Sequence, residues 1–290
     1  MFIRHYHRKI NILMNYRIFE PHKLLSPYVR YFSALDYQNP VGGLSKIRVF
    51  ADRYPHLVFQ HNNGHSAFIR DGNPLPIAFI SGVKIKPYIL DLDSHSVVTV
   101  TFYPQAIKQL FGIDVHDLNN DIVDLNNFAP KALTDQLLDA TGYQQRIDLL
   151  TDFLLQRINK IGDVDFMVNE SIKLINDREI ETSLWSLSKE FKISTRQFER
   201  RFKASTGLSP KLFLRAARFE NALQLIKENN FENFSNIAYY LDFTDQSHFT
   251  KDFKEFSGFT PKAFLSHNQK TQDLIRDNGI VTINHLVTRN

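Results

Sequence analysis

The sequence predicts an α+β N-terminal half, a small β-barrel or sandwich with appended helices, followed by an all-α half of two helix-turn-helix units joined by a long helix. Three observations predict it. Residues 198–213 recur as residues 249–264 at a constant offset of 51, with seven of sixteen positions identical (Phe, Phe, Lys, Gly, Pro, Lys, Phe) and Ser209 matched by Thr260. A repeat this dense reads as one supersecondary unit used twice. Ahead of each copy, Leu184, Leu187, Ser188 and Phe191, then Phe234, Ile237, Ala238 and Leu241, follow the i, i+3, i+4, i+7 spacing of an amphipathic helix. Each copy is therefore helix, short turn, helix. From about residue 17 to 103 the texture is different: short β-branched and aromatic runs separated by turn residues.

Taken in order, residues 1–16 read as an arm outside the fold, with Met14 a second plausible start. Residues 17–161 form the β-rich domain. Its strands are expected at 48–50, 56–60, 67–70, 77–80 and 97–102, while 24–32 reads as helical or mixed, with Pro27 near its start. The period changes after Pro104: Ala106, Ile107, Leu110 and Phe111 make a helical stripe that stops at Gly112, an expected glycine cap. Leu133, Leu137 and Leu138 mark a second helix, and Ile147, Leu150, Leu154, Leu155 and Ile158 a third. The boundary is expected at 160–164, around Gly162. Met167, Ile172, Leu174 and Ile175 open the helical domain at 163–267, and residues 268–290 form a polar tail.

Composition narrows the function classes. With no cysteine among 290 residues, a disulfide framework, a thiolate zinc finger and a cysteine nucleophile are all excluded. The N-terminal stretch is broken by charge, unlike a secretory signal. No run approaches the roughly twenty apolar residues of a membrane span, so a soluble, cytoplasmic protein is expected. The net charge of +4 is mild, but Lys189, Lys192, Arg196, Arg200, Arg201, Lys203, Lys211, Arg215 and Arg218 crowd the first repeat against only Glu190 and Glu199. A basic run on such a pattern points to phosphate contact, and so to double-stranded DNA as partner.

The geometry of the repeat selects the contact residues. Ser183 and Ser194 are expected to cap the two helices of the first unit, and Asn233 the first helix of the second. Phe198 and Phe202, or Phe249 and Phe253, face inward. At 100° per residue the opposite face carries Arg196 and Arg200, flanked by Gln197, Glu199 and Lys203. In the second unit it carries Gln246, Ser247, His248, Thr250, Lys251 and Lys254. Arg196 and Arg200 suit bidentate bonds to guanine. Lys203 and Lys254, a turn later, suit phosphates, which fix register without reading sequence. A helix over 212–226, with Pro210 at its start, would span more than ~20 Å and set two recognition helices into successive major grooves, ~34 Å apart.

These residues resemble the AraC/XylS family of bacterial transcription regulators. The match is carried by 184–202, by Gly207-Leu-Ser-Pro210, by 218–226, and by Ile237 and Ala238 through 249–254 to Gly258-Phe-Thr-Pro261. The resemblance implies seven helices, reading of two adjacent major grooves, and usually transcriptional activation together with RNA polymerase. Two positions depart from the family pattern: where a turn glycine is usual, this chain has Lys192 and Asp242. The N-terminal half is similar to a sensor-like domain through 21–32, 52–59, Gly82, and 102–104 to 110–112. That implies a small β-barrel with helices and leaves the ligand unnamed; a small-molecule effector or a homodimer is expected of this half because a regulator needs an input. Phe50, Tyr54, Phe59, Phe68, Phe79, Tyr88, Phe102 and Tyr103 are candidates to line an apolar pocket or to fill the core.

The rival reading, a metal-dependent barrel enzyme fused to a DNA-binding module, rests on His5, His7, His56, His61 and His65. It is the weaker one, because the first pair lies in the arm and the last two flank a turn. No pattern in the chain asks for a cofactor, and no membrane contact is implied.

Overall fold

The computed structural model describes residues 14–38, 44–118, 121–158, 165–177 and 184–266. Among these residues, ten strands form two antiparallel sheets. The larger runs β1 (Met14–Phe19), β2 (Val29–Tyr37), β9 (His95–Phe102), β4 (His56–His61), β7 (Ala78–Ser81) and β10 (Ile122–Asp124) in spatial order. The smaller runs β3 (Ser45–Val49), β8 (Tyr88–Leu92), β5 (Phe68–Arg70) and β6 (Asn73–Pro74). Of the two architectures expected, the described residues build the two-sheet one; the sheets do not close into a barrel. Leu35, Ile47, Phe68, Phe79, Leu90 and Val97 cluster between them.

The segment 24–32, expected as helical or mixed, is mixed. Only Lys23–Leu25 makes a single 3-10 turn, and Val29–Tyr37 is a central strand paired with both β1 and β9. Its run from Tyr31 to Leu35 is buried at every position, and a strand covered on both faces loses the alternation that identifies one. The strand β1 also takes in the last three residues of the stretch expected as an arm; residues 1–13 lie outside the described ones, as do Ser183, residues 159–164 and the tail.

Helices α1 (Ala106–Phe111), α2 (Lys131–Asp139) and α3 (Tyr143–Ile158) follow the sheet. Gly112 closes α1 at φ 70°, the left-handed cap expected from its position. The second half consists of α4 (Phe166–Asp177), α5 (Leu184–Glu190), α6 (Thr195–Thr206), α7 (Pro210–Lys227), α8 (Phe234–Tyr240) and α9 (Gln246–Ser257), and residues 261–266 begin one more helix. That makes the seven helices the resemblance implies. The two halves are packed together. One apolar cluster runs from Leu57, Val98 and Val100 of the large sheet to Phe198, Phe202, Leu208 and Phe213 of the first helical unit.

Candidate nucleic-acid interface

Both recognition helices are built by the same local chemistry. Ser194 caps α6 by accepting the Gln197 N–H at 3.3 Å, and the Gln197 side chain accepts the Ser194 N–H at 3.2 Å, a complete capping box. Asp245 caps α9 by accepting the His248 N–H at 2.7 Å, and Asn233 caps α8. Each recognition helix ends on a left-handed glycine, Gly207 at φ 75° and Gly258 at φ 79°. The two departures from the family pattern keep the same turn. Lys192 (φ 51°) and Asp242 (φ 55°) both take the left-handed conformation, and Ile193 and Phe243 donate back to Ser188 and Ala238 in matching bonds. A lysine there carries a strain that glycine would not.

The repeat extends to a feature its identities conceal. Thr206 Oγ1 lies 2.8 Å from the Phe202 carbonyl and accepts the Leu208 N–H; Ser257 Oγ lies 2.6 Å from the Phe253 carbonyl and accepts the Phe259 N–H. Both hydroxyls are fully buried, and each ties the last turn of a recognition helix to the chain that leaves it.

Phe198 and Phe202, and Phe249 and Phe253, are buried as expected. Arg196, Gln197, Glu199, Arg200 and Lys203 are all exposed on α6, as are Gln246, Ser247, Lys251 and Lys254 on α9, while His248 and Thr250 are half-buried. The structure divides these candidates. Arg196, Arg200 and Lys203 stand on one open face. The Gln197 oxygen is held by its own helix cap. Gln246 accepts a bond from Ser235 on α8 at 2.7 Å, and His248 packs edge-on against Phe243, 3.8 Å from Asp252. The basic run is divided as well. Arg201 pairs with Asp165, and Arg215 binds the buried Asp252 through two nitrogens at 3.0 and 2.9 Å and Glu255 at 2.6 Å. These carboxylates hold the Arg215 guanidinium well above its ordinary value, so it serves the fold as a strut. A sequence reader sees nine like charges; only their partners, ~35–40 residues away, separate struts from free cations.

A cavity of about 260 Å³ lies between the two sheets with α7 as one wall. Phe50, Tyr54, Phe68, Phe79 and Tyr88 line it, whereas Phe59 and Phe102 are fully buried in the core. Its cations include Arg30, Lys84 and, on α7, Lys227. Burial pushes both lysines down to about 8, opposed for Lys84 by Asp52. Glu220 on α7 binds Arg53 at 3.0 Å, and burial raises its carboxyl against the pull of that arginine. Of the histidines, His56 is held by Asp52 at 2.9 Å, and no three His, Asp or Glu side chains gather as metal ligands would among the described residues. No described helix is long and apolar enough to cross a membrane.

Residues 187–267 match a helix-turn-helix domain family, and residues 17–124 match a domain of unknown function, DUF6597. The chain is 29% identical over 99 residues to the HTH-type transcriptional activator RhaS of Citrobacter koseri and 28% over 101 residues to that of Escherichia fergusonii. Each match takes 34% of this chain and spans only about a third of the relative, 35% and 36%. Among solved structures, ToxT from Vibrio cholerae aligns over 88% of this chain and 98% of its own, at 13% identity and a TM-score of 0.46. The DNA-binding domain of AdpA, solved with a target DNA, aligns over 37% of this chain and 96% of its own, at 20% identity and a TM-score of 0.34. The C-terminal part of the chain is thus a helix-turn-helix domain similar to those of AraC/XylS-type transcription regulators.

Proposed function

We propose that the chain binds duplex DNA sequence-specifically and activates transcription with RNA polymerase, placing α6 and α9 in adjacent major grooves. The observation that carries this reading is the pair of helices, each with a side-chain N-cap and a left-handed glycine at its end, on one rigid connector. At 1.5 Å per residue, the 18 residues of α7 span ~27 Å. Arg196 and Arg200 read bases from α6, and Ser247, Thr250 and Lys251 from α9; Lys203 and Lys254 hold phosphates. Glu199, Gln197, Gln246 and His248 border those contacts. Selection from random duplex DNA with the full chain tests it: a motif of two subsites is expected, and enrichment of nothing would sink the reading.

For the N-terminal half, the cavity favours effector sensing, since small-molecule sites are concave and mostly apolar with a few placed polar groups. An effector there touches α7 directly, and so the helix that joins the two units. A rise in melting temperature with a small, largely apolar effector is the expected sign. Homodimerisation through this half would show as self-association in sedimentation.

A further inference from the structure

The two recognition helices are held at the same repeat position by residues of the N-terminal half. Gly207, the cap of α6, packs on Val115 so closely that an added Cβ would sit 3.0 Å from its side chain. Gly258, the cap of α9, packs on Arg48, where an added Cβ would collide with the guanidinium. Both contacts come from the N-terminal half, one from the turn at Val115–Leu118 and one from the end of β3.

At α9 the contact continues into the chain between β3 and β4. The Ala51 N–H donates to the Phe256 carbonyl at 2.9 Å, satisfying one of the orphan acceptors at the end of α9. Phe50, 1% exposed, lies edge-on to Phe219, Phe259 and Phe264 with ring centroids 6.1, 6.5 and 5.9 Å away. Arg48 lies over the Phe259 ring, and Arg53 joins Glu220 on α7 while covering Phe213. This anchorage sits at the C-terminal ends of helices whose N-terminal residues face DNA, so it leaves the reading face open.

We infer that the N-terminal half is a brace that sets the spacing of the two DNA subsites, with Phe50 and Arg53 as positioning residues. The inference rests on the DNA-reading role proposed above. Two linked readers bind strongly only when their linkage matches the span between sites. A connector fixed at both recognition helices accepts one span, while one released at α9 accepts several.

The test is selection by the full chain from a duplex library with randomised subsites and a variable spacer. Wild type is expected to enrich one spacer. Phe50→Ala is expected to keep the base preference within each subsite, to accept spacers one or two base pairs shorter or longer, and to bind the best site about tenfold more weakly. Arg53→Gln, which leaves the Phe50 cluster filled, is expected to broaden the spacer in the same sense, and Phe50→Leu to restore the single spacer. Thermal melts establish that each variant is folded. An unchanged spacer distribution in folded Phe50→Ala and Arg53→Gln would overturn the brace, and so would tighter binding, which would mean the contact holds the units apart from DNA. If wild type enriches no motif, the DNA-reading proposal itself fails, and the brace with it.

Discussion

Asp252 is the most informative single residue to perturb for stability. It is 2% exposed on α9 and accepts two bonds from Arg215 on α7, which also reaches Glu255. Removing one partner of a buried pair costs ~3–5 kcal/mol, because the other charge is left uncompensated. Arg215 is partly solvated, at 25% exposure, and keeps Glu255, so the expected cost of Asp252→Ala falls to ~2–3 kcal/mol. For a chain of this size that is a fall in Tm of about 3–5 °C. Glu255 offers an internal control: it binds the same guanidinium at a shorter distance but is 42% exposed. Solvent screening should hold Glu255→Ala to ~0.2–1 kcal/mol. Urea unfolding of both variants at one pH decides the matter. A cost for Asp252→Ala within about 0.5 kcal/mol of wild type, the range of ordinary surface substitutions, would refute the argument that burial rather than distance sets the strength of this strut.

Further outcomes are expected. Arg200→Ala should lose ~1–3 kcal/mol at the selected site and relax preference at one base position, whereas Lys254→Ala should weaken all sequences alike and flatten the salt dependence; equal behaviour of the two in a binding titration would undo the face assignment. Lys227 should make stability depend on pH. Its pKa falls from 10.5 to about 8 on folding, so between those values the unfolded chain binds more protons and the unfolding free energy rises with pH. Relative to Lys227→Met, wild type should therefore gain stability from pH 8 to 10.5, and a difference constant across that window would contradict the burial of this amine. Deletion of residues 1–160 strips the sheet from a core it shares with Phe198, Phe202, Leu208 and Phe213. The fragment should then be less stable and bind DNA more weakly than the full chain, and a fragment matching the full chain in both would show the shared core to be dispensable.

The sequence made the helical half legible because its signals are local. Caps, left-handed glycines and the Phe198/Phe202 and Phe249/Phe253 edges are set by neighbours within a turn or two. What it concealed depends on distant partners. Tyr88–Leu92 was not legible as a strand, and Val29–Tyr37 was legible only as the end of a stretch, 24–32, that read as helical or mixed. The latter is buried on both faces, and the former joins β3 and β5 across long intervals. The cavity was half legible: aromatic residues announced an apolar interior, but which rings face open space and which fill the core is a matter of packing. Phe50 shows the limit most sharply. It reads as a strand residue of the first half, and its ring completes the core of the second unit.

The two units also teach why identity undercounts a repeat. Arg201 and Asp252 occupy the same repeat position with opposite charges, a plain mismatch in alignment. In the fold they do the same task. Arg201 on α6 pairs with Asp165, just before α4, and Asp252 on α9 pairs with Arg215 on α7. Each recognition helix is thus tied to the first helix of its own three-helix unit by an ion pair whose polarity is reversed between copies. It follows that α7 belongs to the second unit as α4 belongs to the first, besides serving as connector. The reversal has a consequence for the groove-facing charge. Each tie spends one arginine of the basic run, Arg201 on α6 itself in the first copy and Arg215 on α7 in the second, so only the first takes a cation from a recognition helix. On the proposed reading, the exposed cations Arg196, Arg200 and Lys203 on α6 against Lys251 and Lys254 on α9 favour the first unit, which is then expected to be the stronger electrostatic anchor of the pair.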